Sequence, residues 1–338
     1  MRIATLGLTH DHVWSNLEEL AAHPTAELVA VADPNAPLTE KAGQLYGCQT
    51  YDNYEELLQT ETLDAVYLFS DNASNVFLLE AAAERGLHAL VEKPMASSLD
   101  GADAMMAAAR QSGVRLMINW PFCWWPQLQQ AITLADSGKI GTLWQVKYRA
   151  AHAGPEELGC SDFFCDWLFD SQRNGAGALM DYCCYGALLA RVLLGQPSRV
   201  TGFAGRHCKE NITVEDNAML VMEYARGQAT SEGSWTQIGN LSSYVTTIYG
   251  TAGTLLVEPR NGGRLLCATE TEPEGVPIDV PTAPLELQNA TNHFVHCLQT
   301  EAPFMTLAND RMARDAQEIL EAGLQSVVTQ ASMSLPLH

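Results

Sequence analysis

Through its first 120 residues the chain alternates short apolar runs with helical patterns of 10–15 residues, and few folds accept that rhythm. Ile3 to Leu8 reads as a strand, followed by a helix from Val13 to Ala22. Glu27 to Ala32, Ala65 to Phe69, His88 to Val91 and Arg115 to Ile118 read as further strands. Helical stretches fall between them, two of which close on Gly86 and Gly113. Apolar strands joined through helices imply a parallel sheet covered on both faces.

After Trp120 the rhythm changes. A helix, Leu128 to Ser137, and a strand, Leu143 to Ala151, lead into a Cys- and aromatic-rich stretch, 152–177, that reads as an irregular loop. A helix from 178 to 194 stops at Gly195. From 200 to about 266 long alternating strands predict an antiparallel sheet. Residues 268–284 read as a surface loop and 285–331 as a helical tail. The expected domains are therefore 1–120, α/β, and 121–338, α+β with an open sheet. Such a sheet has a face and edges to cover, which predicts a homodimer or homotetramer.

The 338 residues suit about two domains at roughly 150 residues each. The formal charge, 19 − 40 = −21, argues against nucleic acid or an anionic membrane as the main partner. No run of about 18 apolar residues predicts a membrane span. The opening MRIATLGLTHDHVW is broken by polar residues too early for a signal peptide. Nine cysteines without a CxxC pair read as reduced thiols, and the expected location is cytoplasmic.

Four places could carry chemistry. The first strand-to-helix turn is Gly7-Leu-Thr9-His10-Asp11-His12. Of a G-x-G-x-x-G phosphate turn only Gly7 remains, with Thr9 and His12 in the other glycine positions. Its backbone N–H groups can still hold a phosphate, and equally it is an ordinary βα turn. Two histidines at i, i+2 do not make a metal site without further ligands, and no metal is expected. Asp33, ending the second strand, is placed to accept from an adenosine ribose diol and to repel a 2′-phosphate, or simply forms an Asp-Pro turn. Glu92-Lys93-Pro94 follows the fourth expected strand, at the sheet edge where ligands bind. Asp181 and Tyr185 stand at i, i+4 on one helix, where acid and phenol share a face, and a nearby ammonium is expected to lower the phenol's pKa.

Together these segments resemble the Gfo/Idh/MocA family of glucose–fructose oxidoreductase and inositol dehydrogenase relatives. The likeness runs through Tyr51-Asp-Asn-Tyr-Glu-Glu-Leu-Leu58, LDAVYLFSDN at 63–72, HALVEKPMA at 88–96, GAGALMDYCCYGALLARVLLGQP at 175–197, EGSW at 232–235 and YGTAGTLLVE at 249–258. It implies a doubly wound Rossmann domain, then an α+β domain with a large, open, mainly antiparallel sheet. It also implies hydride transfer between a nicotinamide and a hydroxyl or carbonyl carbon of a sugar, polyol or glycoside.

By position, the resemblance makes Lys93 the contact to the reacting oxygen, Asp181 the substrate anchor and Tyr185 the proton-transfer group, where most members carry His. Gly7, Thr9, His10, His12, Asp33, Ser70, Asn72 and Glu92, with Lys93, are the expected cofactor contacts. Trp120 and His152, with Lys93, Asp181 and Tyr185, are the expected substrate contacts. NAD is expected over NADP. Three departures stand out: the lost glycines, Ser70-Asp71 for the usual Thr/Ser-Pro, and the aromatic Asn119-Trp-Pro-Phe-Cys-Trp-Trp125 for an Arg-bearing stretch. Two alternatives remain open, a redox-neutral glycoside-processing enzyme with tightly held NAD and a non-catalytic nucleotide-binding regulator.

Overall fold

The computed structural model describes residues 1–258 and 262–337. Residues 259–261, inside the expected 200–266 run of strands, and residue 338 lie outside the described residues.

The first sheet holds β1 (Arg2–Leu6), β2 (Glu27–Ala32), β3 (Gln49–Tyr51), β4 (Ala65–Leu68), β5 (His88–Glu92) and β6 (Leu116–Asn119). Its order is β3-β2-β1-β4-β5-β6 and every pairing is parallel. The connecting helices are α1 (Val13–Ala21), α2 (Ala36–Tyr46), α3 (Tyr54–Thr60), α4 (Ser74–Ala83) and α5 (Leu99–Ser112). Ser98 caps the start of α5 by accepting from the Gly101 N–H, and Gly113 ends it at φ 68°. β4 is buried along its whole length, because helices cover both faces of this sheet. Edge strand β3 was not expected: Gln-Thr-Tyr is short and polar, so its hydrophobic pattern is silent.

The chain continues through α6 (Pro126–Asp136) and β7 (Leu143–Ala151). The expected irregular loop contains two short helices, α7 (Asp162–Leu168) and α8 (Ser171–Asn174), opened by Ser161 and Asp170 as side-chain caps. They are too short for a helical period to show. A π-helical turn, Leu179–Cys183, runs into α9 (Cys184–Leu194). Next come β8 (Arg199–Gly205), β9 (Asn217–Tyr224), β10 (Gly227–Ser234), β11 (Val245–Gly250), β12 (Gly253–Glu258), β13 (Arg264–Ala268) and β14 (Val276–Pro277). The expected single helical tail is two helices, α10 (Ala290–Thr300) and α11 (Asp310–Thr329), followed by β15 (Met333–Ser334). The second sheet runs β14-β13-β12-β11-β7-β10-β9-β8-β15, with only the β7–β10 pair parallel. One of its faces lies against α9 and α11, while Phe203 and Met219 stand out exposed.

The segment Ser171–Leu194 is long and apolar enough to cross a membrane by composition, but it is mostly buried inside the protein.

α10 returns to the first sheet. Phe294 packs edge-on against Tyr67 of β4, whose hydroxyl donates to Thr291 Oγ1 at 3.1 Å. Glu19 of α1 meets the same helix start, and burial pushes its carboxyl up to about 7 although Thr291 pulls the other way. A raised carboxyl favours the folded state fully below the unfolded value of 4.5 and loses that contribution as pH rises through about 7. Glu19→Gln is therefore expected to be more stable than wild type at pH 8 by on the order of 1–2 kcal/mol, with the gap closing toward pH 5. Urea unfolding at the two pH values measures it.

Candidate active site

A cavity of about 380 Å³ opens at the carboxyl ends of the parallel strands, between the two sheets. In an open α/β sheet this is where ligands bind. His10, His12 and Lys93 reach it from the first domain, and His152, Asp181 and Tyr185 from the second.

Lys93 follows β5, and its peptide bond to Pro94 is cis. Its buried ammonium donates to Asp181 Oδ1 at 2.6 Å and to the Asp181 carbonyl at 3.1 Å. The other carboxylate oxygen, Oδ2, accepts from Trp235 Nε1 at 3.1 Å. Burial opposes both charges, but each outweighs it for the other. Lys93 is thereby held above its ordinary range and Asp181 below its own. EGSW at 232–235 was visible in the sequence, yet nothing there showed that its Trp would hold the acid.

Tyr185 sits with Lys93 Nζ 5.0 Å from its ring centroid. The expected lowering of its pKa is overturned: burial dominates and pushes the phenol well above its ordinary value. The ammonium that was to lower it is engaged by Asp181. Trp120 also needs correction. It is buried beneath the Tyr185 ring, 5.7 Å away and edge-on, while Pro121 and Trp125 line the cavity in its place. His152 does line the cavity, with Nδ1 accepting from the Gly154 N–H at 2.8 Å and its ring edge-on to Tyr182.

Glu92 is buried behind the cavity-lining His12. Its Oε1 is 2.9 Å from His12 Nδ1, and its Oε2 accepts from Asn119 Nδ2 at 2.7 Å. Sequence reasoning missed Asn119 as a site residue; it ends β6 beside Glu92, a pairing that appears only when strands are placed. Burial drives His10 well below its ordinary pKa, so it is neutral.

The remaining expected cofactor contacts line a crevice that the chain itself fills. Gly7 has φ 84°, and a Cβ there would lie 2.6 Å from Ser70 N, so the turn requires glycine. Asp33 is 0 % exposed. Its Oδ2 accepts from Leu8 N at 2.6 Å, and Oδ1 accepts from Asn35 N and Nδ2. Tyr54 is hydrogen-bonded to Ser70 beside it. Asn72 donates to Asn174 Oδ1 at 2.8 Å, and Arg173 pairs with Asp71. Asp11 grips the start of α7 through Ser161, and Trp167 Nε1 reaches the Thr9 carbonyl at 3.4 Å.

A nicotinamide dinucleotide thus meets a divided site. Toward the cavity the groups suit it: Lys93 and Tyr185 border open volume, and the buried Thr9 hydroxyl has no partner, as a phosphate-facing donor would before its ligand arrives. Where an adenosine would be expected, Asp33 and Asn72 are buried and bonded within their own chain, and half-buried Tyr54 bonds Ser70.

A parallel sheet with a cavity at its strand ends, bordered by an ion-paired lysine and a neighbouring phenol, is the arrangement of a Rossmann-type domain. The model of the oxidoreductase family with an NAD-binding Rossmann fold matches residues 6–120, and that of the GFO/IDH/MocA C-terminal domain matches 128–256. The chain belongs to the GFO/IDH/MocA family. It is 27% identical over 320 residues to D-apiose dehydrogenase of Paraburkholderia graminis, covering 90% of this chain and 80% of that one. It is 28% identical over 224 residues to a dTDP-3,4-didehydro-2,6-dideoxy-alpha-D-glucose 3-reductase of Actinomadura kijaniata. That match covers 65% of this chain and 64% of the reductase, less than two thirds of the relative's length. Among solved structures, aldose-aldose oxidoreductase of Caulobacter crescentus superposes with a TM-score of 0.84 at 20% identity, covering 99% of both chains. An oxidoreductase of Agrobacterium radiobacter in complex with NAD+, L-tartaric acid and magnesium gives 0.83 at 19%, covering 99% and 98%. These two likenesses speak to the fold.

Asp181→Asn should strand the Lys93 ammonium in a dry site, since removing one partner of a buried pair costs about 3–5 kcal/mol. Chemical denaturation measures that loss, and Lys93→Met in the same chain should return most of it.

Proposed function

We propose that the protein oxidises or reduces a hydroxyl or carbonyl carbon of a sugar, polyol or glycoside, with NAD preferred. The observation that carries this is the convergence of the Lys93–Asp181 pair and the Tyr185 phenol on one cavity between the sheets. Bound nicotinamide supplies or accepts the hydride; the rest is the work of this chain's own groups. Lys93, fixed by Asp181, presents positive charge to the reacting oxygen and stabilises negative charge developing there. Tyr185 keeps its proton at Oη at neutral pH because it is buried, which suits donation to an oxygen becoming an alcohol and favours the reducing direction. Asp181 is a positioning residue for Lys93, because both its oxygens are engaged by Lys93 and Trp235. Glu92, Lys93 and Thr9 would hold the nicotinamide and phosphate portions, and the negative charge of Asp33 supports NAD over NADP.

The closed adenosine end supports a variant of this reading. A dinucleotide captured there exchanges slowly and can be retained while the substrate is oxidised and reduced again.

A panel of sugars, polyols and glycosides with NAD or NADP, followed at the reduced-nicotinamide absorbance, tests the proposal. Turnover with NAD is expected, and tighter binding of NADP would remove Asp33 from its role. With a retained cofactor the absorbance should change once per active site and product should form without further release. On a turned-over substrate, Tyr185→Phe should lower kcat by about 10²–10⁴ with cofactor affinity unchanged. Near wild-type turnover would move proton transfer to another group, with His152 the next to test.

The free cysteines support a reducing, cytoplasmic setting. The exposed Phe203 and Met219 on the second sheet support a homo-oligomer formed through that face. Light scattering at micromolar concentration should give a dimer or tetramer mass, and a monomer alone would refute it.

A further inference from the structure

We propose that the active-site cavity binds a divalent transition-metal ion on His10, His12 and Glu92. The sequence supplies two of the three ligands in one turn, and the fold brings the third from the end of β5. One donor atom from each residue lies within 4.8 Å of the other two. His12 Nδ1 is 2.9 Å from Glu92 Oε1, and His10 Nε2 is 4.0 Å from the same oxygen.

The surroundings hold these groups in place. Glu92 Oε2 accepts from Asn119 Nδ2, which fixes the carboxylate's plane and leaves Oε1 facing the histidines. The His10 ring is wedged against Phe164 at 4.7 Å and Trp167 at 5.6 Å. The ammonium of Lys93, the nearest cation along the chain, is turned to Asp181, so Glu92 faces the two imidazoles instead. Both histidines border the cavity, so a bound ion would have open positions facing the substrate space. Two imidazoles and one carboxylate on one side, with open positions opposite, suit Zn²⁺, Mn²⁺, Co²⁺ or Fe²⁺ better than Mg²⁺ or Ca²⁺. A substrate with neighbouring hydroxyl or carbonyl oxygens could fill those positions by chelation.

His10 Nδ1 now accepts the His12 N–H at 3.2 Å, so its ring proton sits on Nε2. Binding through Nε2 moves that proton to Nδ1 and gives up the amide contact. Protons compete with a metal ion for imidazole and carboxylate ligands in general, so affinity should rise with pH. No electron transfer is involved. The site does not depend on the dinucleotide reading, because the cation is detected directly.

The test uses the full chain, stripped with a chelator and then dialysed against Zn²⁺ or Co²⁺. Elemental analysis should find about one ion per chain, and Co²⁺ should give visible d–d absorption bands. His12 has a side chain 41% exposed, so His12→Ala is expected to fold. That variant and Glu92→Gln should each weaken binding at least tenfold, and Asn119→Ala should weaken it by about 10–100-fold through the carboxylate it orients. His207→Ala, outside the cavity, should bind like wild type. Circular dichroism separates lost binding from lost fold, and should Glu92→Gln not fold, His12→Ala and Asn119→Ala decide. A stripped protein that takes up no ion, or folded variants that retain wild-type affinity and the same cobalt spectrum, would overturn the proposal.

Discussion

A single buried ion pair, Lys93 with Asp181, joins the two halves of the molecule and sets the chemistry of the space between them. The lysine comes from the end of a parallel strand and the aspartate from the π-helical turn that opens α9. Neither charge is tolerable alone in so dry a place. Their mutual stabilisation requires the first sheet and α9 to meet in one arrangement, and that arrangement positions the phenol of Tyr185. Trp235, just past the end of β10, completes the carboxylate's bonding. The whole reaction centre is therefore tied to a geometry that packing enforces.

Much of this was legible before any coordinates. The period-2 and period-3.6 patterns marked five of the six parallel strands and the long strands of the second sheet. Lys93, Asp181, Tyr185 and His152 were named for one site, and the structure brings them to one cavity. What escaped has physical reasons. β3 is too polar and α7 and α8 too short for periodicity to register. Trp120 looked available because an aromatic run near a site can line it or support it; here it supports Tyr185 from below. The phenol's proton affinity could not be read from spacing, since it depends on burial and on which group the lysine has already bonded. Asn119 acts through the paired strand β5 and Trp235 through the turn that opens α9, contacts that appear only when the elements are placed.

The loss of the glycine turn has a structural counterpart. Across this turn Asp11 holds α7, and Arg173 pairs with Asp71. The same helix α7 borders the cavity through Phe164, so the turn and the cavity share one wall.

The return of α10 to the first sheet bears on how the chain is made. Tyr67 and Phe69 belong to an early strand and the residue after it, yet Phe294 and Thr291, which cover and bond Tyr67, lie more than two hundred residues later. On a ribosome the N-terminal domain emerges first, but that flank of its core stays uncovered until α10 has been translated. Domain-by-domain completion during synthesis, the usual course for a two-domain chain, is barred. Until then the nascent protein carries an exposed aromatic surface, which is the kind of surface that chaperones engage.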